Sequence, residues 1–369
     1  MKKTYFLSGL LVFALLTSNC STLDKLPTEA APDTINQTQP NITPASSVPA
    51  KWSNLNLTGK LIYLDSTVKN KKLLMTIQSL DLASGEITTI FNAPVNSHIF
   101  YVAVSPDNKQ LIISYYPPPV DNITIYQALY TMPLDGSAPP QLLFMPPTKE
   151  DQYIQVEWSP DGKYIYYTHV KYGIPLVDGQ LVPVFSIYRM PFPNGQPELI
   201  LPTAYWPRVS SDGTRLVYTL IDPSTGLDRL FTANSDGTSA HPISLDPSLT
   251  YNIIDAPMFS ADNQTIFFSA PAPHQTYNPS WIEKLTGVTA VSAHGNTPSD
   301  LWTVPITGGT PTQITHIKTS DLFATFSPDN EHIAIFSVGG LFVMNPDGSE
   351  LTLLVPNLQG ISGTVRWLP

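Results

Sequence analysis

The sequence predicts an all-β protein: a six-bladed β-propeller closed by sharing one blade between its N- and C-terminal strands. Two turn motifs that recur along the chain, and a close match between its two ends, carry that expectation. The 369 residues are 42% hydrophobic and only 13% charged, with 37 prolines, which is the composition of a turn-rich β protein with apolar residues enough for a large core.

At the N-terminus, Lys2 and Lys3 precede an apolar run over residues 6–16 that only Ser8 and Gly9 interrupt. Such a run is too short to span a bilayer as a mature helix and suits a secretory signal over residues 1–20. The stretch Leu16-Thr17-Ser18-Asn19-Cys20 contains the only cysteine of the chain. It resembles a bacterial lipobox, and that resemblance implies that Cys20 is diacylated and becomes the new N-terminus. Ordinary secretion with cleavage nearby is the competing reading. No other apolar run reaches spanning length, so a lipid on Cys20 is the expected membrane anchor, and the location is extracytoplasmic, in the periplasm or at the outer cell surface. With no second cysteine, the exported protein holds its fold without disulfides. Residues 21–52 are rich in Thr, Pro, Ser, Asn and Gln, bury too little to offset their ordering entropy, and read as a flexible stalk.

The propeller is expected over residues 53–369. Its organising stretch is Val156-Glu157-Trp158-Ser159-Pro160-Asp161-Gly162-Lys163-Tyr164-Ile165, an apolar run, a tight turn and a second apolar run. The same pattern recurs around Ser105, Ser210, Ser260 and Ser327, at spacings of 54, 51, 50 and 67 residues counted from Ser105 to Ser327 through Ser159. Each period fits one block of about four strands. A second turn recurs six times, at Gly85, Gly136, Gly195, Gly237, Gly309 and Gly348, where Gly and its Asp or Asn neighbours supply the positive φ of tight hairpins. The missing sixth copy of the first turn is explained by the ends. Thr364-Val365-Arg366-Trp367-Leu368-Pro369 copies a first strand, and Gly59-Lys60-Leu61-Ile62-Tyr63-Leu64 reads as a second strand without a first. Joined, they make the shared blade. Val104, Trp158, Val209, Phe259, Phe326 and Trp367 hold matched places on the innermost strands and read as core between blades. A ring closed in this way is expected to be a monomer.

The Ser-Pro-Asp-Gly turn followed by Lys or Thr and an apolar strand resembles the WD-like repeat of TolB-like propellers, shared by the propeller domains of prolyl oligopeptidases. The resemblance implies a six-bladed fold and, by likeness to TolB-like propellers, a scaffold that docks a protein partner. Within the motif, Gly is replaced by Asn at 108, 263 and 330, and Pro by Ser211 and Ala261.

In a propeller the tight turns share one face, and the strand 2–3 loops and interblade links share the other. Insertions over residues 170–183 and 270–298 belong to the second face, and the latter holds Trp281 at the start of an expected short amphipathic helix. Links on that face carry His98, Tyr153, Tyr205, Trp206, Tyr251, Asp255 and Asp321, so that aromatics interleave with acids as in a binding surface. The bland alternative has the same aromatics packing beneath the loops. Function is thus read as protein binding at the cell envelope. The alternative is a propeller that binds or cleaves a glycan or peptide at the channel mouth.

Other chemistry finds little support. A net charge of −10 with five arginines speaks against nucleic acid as a partner. There is no Gly-x-Ser-x-Gly elbow, His-Glu-x-x-His or phosphate loop, so no catalytic residue and no cofactor is expected. The spacing of His274, Glu283 and His294 matches no metal site. Glu157, Arg208 and Arg366 lie on inner strands and suit an interblade ion pair.

Overall fold

Short apolar runs separated by tight turns pair with their neighbours in sequence as antiparallel ladders. In a computed structural model, the residues described are 52, 55–69, 72–119, 126–175, 181–222, 224–273, 298–320, 322–358 and 364–369. Among them are 24 strands in six four-stranded sheets, and no α-helix. Blade 1 contains β1 (Lys60–Lys69), β2 (Lys72–Asp81) and β3 (Ile87–Asn92). Blade 2 runs from β4 (His98–Val104) through β5 (Gln110–Tyr116) and β6 (Ala128–Pro133) to β7 (Gln141–Phe144). Blade 3 comprises β8 (Asp151–Trp158), β9 (Tyr164–Pro175), β10 (Leu181–Pro191) and β11 (Glu198–Pro202). Blade 4 comprises β12 (Ala204–Val209), β13 (Arg215–Ile221), β14 (Asp228–Asn234) and β15 (His241–Pro242). Blade 5 has β16 (Asp255–Phe259), β17 (Thr265–Ala270), β18 (Asp300–Pro305) and β19 (Thr312–Gln313). Blade 6 has β20 (Phe323–Phe326), β21 (Ile333–Ser337), β22 (Gly340–Met344) and β23 (Thr352–Pro356). The last strand, β24 (Val365–Leu368), returns to blade 1 and pairs with β1, so that sheet reads β24-β1-β2-β3.

The register of that joint is Lys60 opposite Leu368, Leu61 opposite Trp367, Ile62 opposite Arg366 and Tyr63 opposite Val365. Trp367 Nε1 donates to the Thr58 carbonyl at 2.9 Å. Gly59 allows the approach: with φ at 86°, a Cβ there would meet the Leu368 carbonyl oxygen at 2.1 Å. Trp52, on the stalk side of the boundary expected from sequence, is buried and donates to the Leu82 carbonyl at 2.9 Å.

The core lies between blades. Ile62, Leu64 and Ile77 of blade 1 pack with Val102, Leu111 and Ile113 of blade 2. Tyr166 and Ile187 meet Leu216 and Tyr218 across blades 3 and 4. Phe267 and Met258 meet Ile333 and Ile335 across blades 5 and 6. Because both faces of each sheet are covered, inner strands such as β16 and β21 are buried at every residue, while outermost strands such as β7 are half-exposed or exposed throughout. Insertion 170–183 differs from expectation. On either side of residues 176–180 the sheet continues, with Val182 opposite Ile174 and Val184 opposite Lys171.

The recurrent turn shows why Ser and Asp recur in it. Ser105, Ser159, Ser210, Ser260 and Ser327 each donate from Oγ to the Asp two residues on, at 2.5–2.7 Å. Each Ser Oγ also accepts the backbone N–H five residues on, and each Asp Oδ1 accepts the N–H two residues on. Two of the backbone donors that follow the turn are thereby satisfied from within it. The fourth position has positive φ in every copy, which Gly and Asn tolerate. Two departures compensate each other. Ser211, in place of Pro, has an N–H to give, and Asn263, in place of Gly, accepts it at 3.2 Å.

Two outcomes follow. Deleting residues 364–369 should lower the thermal midpoint sharply or cause aggregation, because blade 1 loses its inner strand; unchanged melting would rule out the joint. Hydrogen bonds from Ser159 and from Ser210, and those from the backbone, hold the Asp161 and Asp212 carboxyls down at about 2. Their contribution is therefore full above the ordinary carboxylate value near 4 and is lost as pH falls from about 4 towards about 2. Asp161→Asn with Asp212→Asn should flatten that part of the melting-temperature profile, and an unaltered acid slope would contradict the assignment.

Candidate functional site

Each inner strand starts at a link on the loop face and ends in a Ser-Asp turn on the opposite, tight-turn face. Residues four places before the serine therefore share one level of the central channel: Tyr101, Gln155, Trp206, Ala256 and Phe323. Tyr101, Trp206 and Phe323 come from blades 2, 4 and 6, a third of the circle apart. Their rings meet, with centroids 5.6 Å apart for Tyr101–Trp206, 5.5 Å for Trp206–Phe323 and 6.4 Å for Tyr101–Phe323. All three are buried, and together they fill the channel.

The backbone is bent to aim these side chains. Gln155, Trp206 and Ala256 have positive φ, and the pairing register of β8, β12 and β16 shifts at those places. Trp206 is then fixed twice. Its N–H donates to Gln155 Oε1 at 2.9 Å, and its indole Nε1 to Asp255 Oδ1 at 2.8 Å. Thr168 holds the Gln155 amide oxygen at 2.7 Å.

Two residues nearer the tight-turn face lie the charges. Arg208 Nη1 pairs with Glu157 Oε2 at 2.6 Å, and Nη2 donates to the Ala324 carbonyl at 3.3 Å, so one guanidinium ties blades 3, 4 and 6. The expected interblade ion pair is thus present between Glu157 and Arg208. Arg366 stands apart from it: among the described residues it has no hydrogen bond or ion pair. Its side chain is open to water yet ringed by protein. Desolvation draws its guanidinium below the usual value, the Glu157 charge opposes the shift, and Arg208 adds to it.

The link residues singled out from sequence lie beneath the loop face. His98 is buried against Phe100, with centroids 4.2 Å apart, and burial lowers it to about 4, so it is neutral at pH 7. Tyr153 is buried among Phe144, Tyr167 and His169. Tyr205 packs on Phe185, and burial, reinforced by Asp228 and Asp255, raises its hydroxyl. Tyr251 sits against Phe268 and Trp302, pushed up to about 12 by burial, and its hydroxyl has no hydrogen-bond partner among the described residues. Asp255 is buried and spent on Trp206. Within the set, Trp206 and Asp255 are joined by a hydrogen bond, and the Asp255 charge also acts on Tyr205. Trp281, Asp321, His274, Glu283, His294 and Cys20 lie outside the described residues. Tyr101, Phe323 and Gln155 escaped sequence reasoning, although each stands four residues before the motif serine, a register the repeats already supplied.

Exposed apolar side chains are distributed unevenly. Val68 and Val184 on hairpin extensions, Val95 and Met145 on links and Val338 on a strand 2–3 turn all belong to the loop side. Leu142, Leu199 and Leu353 lie on outermost strands, and Leu351 immediately precedes one. The tight-turn side has grooves between blades: a polar one of about 450 Å³ lined by Asp161, Tyr164, Arg189 and Asp212, and a more apolar one beside Phe267, Ile314 and Phe326.

The architecture is that of a six-bladed β-propeller with a plugged channel. The fold is similar to that of solved TolB structures. TolB from Acinetobacter baumannii superposes with a TM-score of 0.53 at 18% identity, over 84% of this chain and 65% of that one. This chain therefore spans about two thirds of the length of that protein. A putative TolB from Agrobacterium tumefaciens gives 0.51 at 17% identity, over 85% and 99% of the two chains. A chain of a nidogen/laminin complex gives 0.55 at 11% identity, over 83% and 98%. At these identities the likeness is one of fold. No protein-family model and no curated protein sequence matches the chain.

The plug predicts graded losses at Trp206. Trp206→Phe keeps the ring contacts but leaves Asp255 without the indole donor, at a cost of about 1–3 kcal/mol. Trp206→Ala also empties the channel, at a cost of about 3–5 kcal/mol. Denaturant midpoints measure both, and a neutral Trp206→Ala would contradict the plug.

Proposed function

We propose that the chain is an extracytoplasmic protein-binding scaffold, anchored to a membrane by a lipid on Cys20, with the loop face as its docking face. The segregation of exposed apolar side chains carries this reading. Val68, Val95, Met145, Val184 and Val338 rise on the loop side, whereas the five Ser-Asp turns spend their polar groups on themselves. Apolar surface rimmed by polar residues is the usual mark of a protein interface. The strand 2–3 connection after β17 leaves and returns on the same side, and Trp281 in its sequence is counted as part of the proposed docking face. The buried set His98, Tyr153, Tyr205, Trp206, Tyr251 and Asp255 supports that face from beneath, fixing where the links leave the inner strands. The partner is an envelope protein, and the scaffold acts as a monomer without a cofactor. The likeness in fold to TolB structures supports this class of function.

Photo-crosslinking groups at positions 68, 95, 145 and 338 should give protein adducts in intact cells, and groups at 109 and 331 should not. Replacing residues 271–297 with a short Gly-Ser loop should leave melting unchanged and abolish the adducts. Cys20→Ala should move the protein from the membrane to the soluble fraction. Adducts confined to positions 109 and 331 would put the working face on the wrong side.

A further inference from the structure

The tight-turn end of the channel is a blind well. The rings of Tyr101, Trp206 and Phe323 close it from within. The charged level, two residues above the motif serines, lies about 7 Å inside the mouth at the usual rise of a strand. At that level the fold places two guanidinium groups and one carboxylate. Arg208 is held in place: Nη1 pairs with Glu157 at 2.6 Å and Nη2 donates to the Ala324 carbonyl at 3.3 Å. Arg366, on the strand that closes the ring, reaches the same charges from blade 1 without pairing with either. The residue is exposed to water although protein surrounds its charge, and its five N–H donors form a fork suited to a planar oxyanion. The surrounding protein disfavours the charged form of Arg366 more than the Arg208–Glu157 pair acts on it, and an added anion offsets that desolvation.

We propose that this well binds a single carboxylate group, held by Arg366 with the Arg208–Glu157 pair as its wall. The rim limits what enters. Asp107, Asp161, Asp212, Asp262 and Asp329 follow the inner strands directly and encircle the mouth, and Lys109 and Lys163 offset two of them at 3.9 and 3.1 Å. Each of these carboxylates already accepts hydrogen bonds from its own turn. An acidic rim disfavours a doubly charged phosphate more than a singly charged carboxylate, and the difference shrinks as salt screens it. The carboxylate can come from a small free acid or from the end of a peptide chain, which share this chemistry.

The test follows the guanidinium NMR signals of Arg208 and Arg366 in the folded chain during titration with acetate, triglycine and triglycine amide. Acetate and triglycine should shift both signals saturably, and the amide should leave them in place. Saturation by triglycine but not acetate would assign the site to a chain end. Arg366→Gln removes a side chain that has no hydrogen bond or ion pair among the described residues, so melting should change little while the response at Arg208 disappears. Glu157→Gln removes the one negative charge at this level and should tighten carboxylate binding by at least about tenfold. The proposal is overturned by any one of three results: no saturable shift with either acid, equal response to the amide, or a response at Arg208 that survives Arg366→Gln.

Discussion

Every blade of this ring exposes two apolar sheet faces, and only a closed circle covers them all. The pairing of β24 with β1 is therefore the interaction on which the rest depends. It brings Val365 and Trp367 into the cluster that also holds Leu61, Tyr63, Phe336 and Val343, so blade 6 packs against blade 1 as any other neighbouring pair does. Without it, two sheet faces would stand in water. The joint involves four residue pairs, and its strength comes less from those hydrogen bonds than from the apolar surface they bring together.

The channel adds a second closure, across the axis. The aromatic plug joins blades 2, 4 and 6, and Arg208 joins blades 3, 4 and 6. Both devices draw on blade 4, whose Trp206 adopts a φ of 58° that a large aromatic residue rarely takes. The strain is offset by hydrogen bonds that its backbone N–H donates to Gln155 and Thr168 and its indole N–H to Asp255, and by ring contacts on both sides. A plugged channel separates the two faces chemically. The loop face can carry apolar contacts to a partner, while the tight-turn face, charged and self-satisfied, keeps a well of its own.

Much of the architecture was legible in the sequence because the turn motif is local. Ser, Asp and a residue tolerant of positive φ satisfy one another within six residues, so the pattern survives when Pro becomes Ser211 or Gly becomes Asn263. The chain ends were legible for the same reason: Trp367 repeats the place of Trp158, and Lys60 that of a second strand. The plug was not legible, because Tyr101, Trp206 and Phe323 are far apart in sequence and meet only through six-fold geometry. Nor does residue type reveal burial. Tyr153, Tyr205 and Tyr251 could equally have projected outward, and their enclosure depends on how the links fold over them. The stretch 170–183 was misread as a loop because Gly173 and Pro175 interrupt its alternation, although the hairpin carries on through both.

The most direct measurement of the closed ring is amide hydrogen exchange of the intact protein. If both chain ends build one blade, the amides of β24 and of the β1 residues opposite it exchange only through global unfolding, as slowly as those of β17 and β21. Exchange of β24 on the fast timescale of exposed termini, with β17 and β21 still protected, would show that the ring is not closed by this joint.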